Sequence, residues 1–165
     1  MVSKTSILRN LSIISTLFNK TSNPKEALFY SKLGILELCG WIEESMDDIV
    51  KNCGNRNLRN DDNLRFLEKE IIQKVHSFDY HNNFRKMLMQ VIGLINLEKI
   101  ESRVDQTKLG RMKATLNALK EQRDQVAHTH IKGITLRIDA PSITKQRFVD
   151  VYEGLKNIEH ELKRL

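Results

Sequence analysis

Helix breakers are scarce in this chain, with two prolines and seven glycines in 165 residues. Long segments are therefore free to stay helical. Aromatic side chains are only 6% of the sequence. That argues against a sheet, whose pleated surface enriches aromatic and β-branched residues. The two cysteines, Cys39 and Cys53, are too few for a disulfide framework. Neither forms a CxxC pair or has a histidine at zinc-ligand spacing. Cys39 lies in an apolar helical run and reads as a buried, reduced thiol. No apolar run approaches the roughly 18 residues that mark a membrane span. The signatures of phosphate-binding loops, serine hydrolases and zinc peptidases are missing. These absences leave an all-α chain without metal or cofactor, expected to be cytoplasmic and off the membrane.

What is present fits a single domain over residues 1–165, large enough to bury a core unaided. The net charge of +6 makes the surface attractive to polyanions without a basic tail. The first acidic residue is Glu26, and Lys4, Arg9 and Lys20 sit before it among Ser and Thr. That composition also suits a transit peptide. The helical spacing of Ile7, Leu11, Ile14 and Phe18 favours an ordinary first helix facing a core.

Apolar periodicity predicts five or six helices in a bundle. The first covers about Ser3 to Asn19. The second starts at Pro24, behind an Asn23 cap, and runs to about Asn52 with Leu28, Leu33, Leu36, Trp41, Ile42, Met46 and Ile49 inward. Gly34 and Gly40 interrupt it, which suggests close packing on a neighbour. Residues 53–62 read as a loop. A third helix is expected over Asp62 to Phe78, and a fourth over Asn83 to Val104 with Phe84, Leu88, Val91, Ile95 and Ile100 inward. The fifth begins behind Asp105. After a loop over Ile131 to Pro141, Ser142 is expected to cap the last helix, whose stripe is Phe148, Tyr152, Leu155, Ile158 and Leu162.

The fifth helix carries the chemistry. Leu109, Met112, Leu116, Leu119 and Val126 follow the three-and-four rhythm of a packed seam. The rhythm calls for an apolar residue at 123, and the sequence supplies Arg123. Asp124 follows, and His128 stands four residues beyond it, on the same helix face. Arginine holds its charge and offers a fork that matches phosphate oxygens, and histidine moves protons near neutral pH. Arg123 and His128 are about 140° apart around one helix. A single helix presents them poorly as a pair. Two copies about a twofold axis converge them.

The segment from Arg123 through Asp124 and Ala127 to His128, near the end of a basic amphipathic helix, resembles the signature of the HEPN family. Leu33 to Ile49 is similar to the long central helix of its RiboL-PSP type. The resemblance implies an all-α, dimeric, metal-independent endoribonuclease, often a toxin or antiviral defence effector restrained by an antitoxin. Its products would carry 2′,3′-cyclic phosphate and 5′-hydroxyl ends. Arg123, His128 and Asp124 would be the catalytic set, with His130 as the alternative histidine. Lys108, Arg111, Lys113 and Lys120 would contact RNA backbone. The competing reading is a non-catalytic dimeric module, of the kind that pairs with a nucleotidyltransferase, with Asp124 and His128 a surface pair. Glu43 and Glu44 read as a solvated face, His160 as surface, and His76 and His81 as loop residues.

Overall fold

The computed structural model describes residues 2–128, 131 and 138–165, with His128 by its backbone alone. Helix α1 (Thr5–Lys20) turns Ile7, Leu11 and Ile14 inward, as an amphipathic repeat requires. Helix α2 (Pro24–Asn57) starts at a proline, which gives up no needed N–H there. The Asn23 side chain accepts a hydrogen bond from the Lys25 amide at 3.0 Å. Helix α3 (Asp61–Phe66) widens into a π-helical turn over Leu67–Ile72, closed by Gln73 donating to the Glu68 carbonyl at 3.0 Å. A second π-turn, Tyr80–Phe84, leads into α4 (Arg85–Arg103). Helices α5 (Gln106–His128) and α6 (Pro141–Leu162) complete the bundle. Asp105 caps α5, its carboxylate accepting from the Thr107 and Lys108 amides at 2.9 and 3.1 Å. Among the described residues there is no strand.

Helix α2 is the axis of the bundle and packs on α1, α4, α5 and α6. Ile35, Leu38, Ile42 and Val50 are wholly buried along it. The seam of α5 is buried as its spacing predicts, from Leu109 through Met112, Leu116 and Leu119 to Val126. Trp41 belongs to the core, stacked at a tilt 5.0 Å from Phe148, with its indole N–H donating to the Ser3 carbonyl at 2.8 Å.

Several expectations are corrected. The predicted loop over 53–62 is mostly helix, because α2 continues to Asn57 and buries Cys53 and Gly54. Gly54 lies so close to the Leu67 side chain that an added Cβ would overlap it. That contact holds an otherwise polar turn in the helix. The third helix stops at Ile72, well short of Phe78, and Phe78 is buried within the irregular stretch that follows. Ser142 is not a cap: Ala140 occupies that position and Pro141 starts α6. Leu33 and Ile95 face outward, at 45% and 73% exposure. Ile95 follows Gly93, whose φ of 75° breaks the periodicity of α4. Gly34 meets Ile14 at ordinary distance, and Gly40 meets nothing. The tight helix crossing lies instead at Gly154, where a Cβ would come 2.6 Å from Met112.

Candidate functional site

The last turns of α5 pack over two elements distant in sequence. One is α2 near Cys39 and Glu43. The other is the irregular chain before Tyr80. Arg123 points into this junction, and its side chain is 27% exposed. Its guanidinium stands 5.6 Å over the Phe78 ring. Nη2 is 3.8 Å from Glu43 Oε1, and Nε is 3.3 Å from Asp124 Oδ1. The ring explains how a charge occupies a seam position: a cation over an aromatic face keeps part of its electrostatic stabilisation away from water.

The Arg123 contacts are of an unusual kind. Nε is buried and makes no hydrogen bond, so the approach of Asp124 is an ion pair without hydrogen-bond alignment. The Glu43 separation is also too long for one. Arg85 is different, since its Nε and Nη2 donate to both Glu101 oxygens at 2.8 and 3.0 Å. Those bonds hold Glu101 below the usual carboxylate range. The same carboxylate accepts from the Tyr80 hydroxyl at 3.0 Å, and burial raises the Tyr80 phenol.

Next to Arg123, Gln122 is tied across the end of the bundle. It donates to Asp139 at 2.6 Å and accepts from Arg147 at 2.5 Å. Arg147 also pairs with Asp139 at 2.5 Å. This network joins α5, α6 and the chain entering α6. Beneath it lies the free Cys39 thiol, pushed up to about 12, chiefly by burial and against the opposing effect of Arg123. It is therefore an inert thiol at neutral pH.

Arg123 and Asp124 meet, and Asp124 is exposed toward solvent. His128 ends α5, while its side chain and the whole of His130 lie outside the described residues. Lys113 and Lys120, seven apart, fall on the flank of α5 that faces the Tyr80 turn. Lys113 lies 4.3 Å over the Tyr80 ring, and Lys120 Nζ is 3.7 Å from Asp79. The other two basic residues are not brought to this flank. Lys108 pairs with Glu153 of α6 at 3.0 Å and stands about 22 Å along the helix from Arg123. Arg111 is exposed and roughly 160° around the helix from Lys113. Sequence reasoning missed Glu43 and Phe78. Glu43 is not on a solvated face but half-buried against Arg123. The available signal was its place one turn beyond Cys39, which lies in an apolar helical run. Glu44 is exposed, as are His76, His81 and His160.

No group of three or more metal-ligating side chains occurs among the described residues. None of their helices is long and apolar enough to cross a membrane. The fold is an all-α bundle with an arginine held at a helix junction near the end of its fifth helix. The chain belongs to the RiboL-PSP-HEPN family, whose profile matches residues 4–165. Comparison with curated proteins and with solved structures found no match.

Proposed function

We propose that this protein is a metal-independent endoribonuclease that works as a dimer, in the manner of a toxin or defence effector. The observation that carries this reading is Arg123. A guanidinium is held in a seam position at a helix junction, its buried Nε without a hydrogen bond and Glu43 beyond hydrogen-bond range of Nη2, five residues before the histidine that ends the same helix. Such a group suits the pentavalent phosphorane of RNA cleavage, where negative charge grows on the equatorial oxygens. In this scheme the 2′-oxygen attacks the adjacent phosphorus as its proton passes to a base. The P–O5′ bond then breaks as an acid protonates the leaving oxygen. His128 is the proton carrier of the proposal, with His130 the alternative, and Asp124 orients the imidazole from one turn earlier. Arg123 of one protomer and His128 of the other would share one phosphodiester. Lys113 and Lys120 supply backbone contacts on the adjoining flank, and Lys108 and Arg111 serve a longer RNA track.

The test is incubation of purified protein with total RNA and EDTA. Wild type should yield 2′,3′-cyclic phosphate ends, and Arg123→Ala and His128→Ala should not. Equal cleavage by all three proteins would exclude this mechanism.

A second reading is favoured by exposed apolar side chains on the first two helices: Ile13, Leu17, Phe29 and Leu33. Surfaces of this kind serve protein association. On this reading the chain is a non-catalytic dimeric module, or the subunit of an antitoxin or nucleotidyltransferase partner. It predicts a dimer or a partner complex and no RNA cleavage.

A further inference from the structure

Two arginines near the motif make opposite use of carboxylates. Arg147 is committed to Asp139 and Gln122 at 2.5 Å each. Arg123 has two carboxylates within ion-pair range, yet among the described residues it forms no hydrogen bond. The two cannot serve the same end. A guanidinium whose fork is filled by a carboxylate is a structural strut, because its planar donor edge is spent. One held by charge and by a ring keeps its outer donors; at Arg123 Nε is buried, so the terminal amino groups are the donors left for an incoming anion. The two residues that hold it so come from other parts of the chain. Phe78, fully buried, lies under the guanidinium. Glu43 faces Nη2 from α2 at 3.8 Å. Asp124 approaches Nε at 3.3 Å.

We propose that Glu43 is a positioning residue for Arg123. Its carboxylate, acting across 3.8 Å, keeps the guanidinium over Phe78 and turned to receive a phosphodiester, without occupying its donors. The inference rests on the ribonuclease reading and adds to it an acidic residue from the central helix. A charge that is already oriented needs no reorganisation when the transition state forms, so its loss falls on turnover more than on binding. Glu43→Gln preserves size and removes the charge. Phe78→Leu keeps an apolar filler and removes the ring.

Two measurements decide the matter. The first is cleavage of a short RNA with EDTA present, for wild type, Glu43→Gln, Phe78→Leu and Arg123→Ala. Glu43→Gln should lower kcat about ten-fold, with KM changed less than about two-fold and an unchanged melting temperature. Wild-type kcat in Glu43→Gln, beside a clear loss in Arg123→Ala, would overturn the proposal. The second is the NMR signal of the Arg123 Nε–H in protein without RNA. The Phe78 ring should shift it upfield in wild type, and the shift should collapse in Glu43→Gln and in Phe78→Leu. A signal that stays put in Glu43→Gln would also overturn the proposal. If wild type cleaves no RNA, the ribonuclease reading fails by itself, and the NMR measurement still decides whether Glu43 positions Arg123.

Discussion

The Arg123 guanidinium lies 5.6 Å over the ring of Phe78, so a buried aromatic from an irregular stretch supports the one charge in the α5 seam. Phe78 is 0% exposed. Its replacement by alanine opens a cavity under a charge, at a cost of about 3–5 kcal/mol. Phe78→Leu should cost less, because most of the volume remains. Urea denaturation of the two variants checks this. A loss below about 1 kcal/mol for Phe78→Ala would show that the ring is not part of the core.

Gly154 and Gly40 should respond oppositely to alanine. At Gly154 the new methyl would sit 2.6 Å from Met112, across the packed α5–α6 crossing. Overpacking of this kind costs roughly 1–3 kcal/mol. At Gly40, on the exposed side of α2, a Cβ meets nothing within 4 Å. There the gain in helix propensity should stabilise by about 1 kcal/mol. Thermal melts of both variants read the two signs directly.

Much of this fold is legible from apolar spacing, where each helix carries its own record. Ile7, Leu11 and Ile14 on α1, and the Leu109-to-Val126 seam of α5, are buried as their spacing predicts. Asn23 and Asp105 cap the helices they precede. Periodicity fails where a distant partner decides the local structure. The polar turn ending at Asn57 stays helical because Cys53 is buried and Gly54 meets Leu67. Phe78 is core although no helix carries it. Leu33 and Ile95 match an inward phase yet point out. The site divides the same way. Arg123 and Asp124 are neighbours on one helix and could be found together. Glu43 and Phe78 reach Arg123 only through tertiary packing, which no local pattern encodes.

Asp47 should make stability depend on pH. Its carboxyl is pushed from 3.8 up to about 6, by burial first and then by Glu43, Asp48 and Glu68, with His76 opposing. A raised folded-state value means that the folded chain holds the proton more tightly than the unfolded one. This contribution is therefore full below about pH 4, declines as pH rises toward 6, and is gone above that. Asp47→Asn removes the decline. Because the group is half-buried and screened by solvent, the gain above pH 6 should be on the order of 1 kcal/mol, with none below pH 4. Parallel denaturation curves for the two proteins at every pH would contradict this assignment.

The proposed activity depends most on Arg123 and His128 acting together across two protomers. Mixing Arg123→Ala with His128→Ala tests this most directly. Each variant alone should leave RNA uncut in EDTA. The mixture, after subunit exchange, should recover about a quarter of wild-type turnover, because half of the dimers are mixed and each holds one intact composite site of two. A mixture as inactive as its components, although mixed dimers form, would contradict a site shared between protomers.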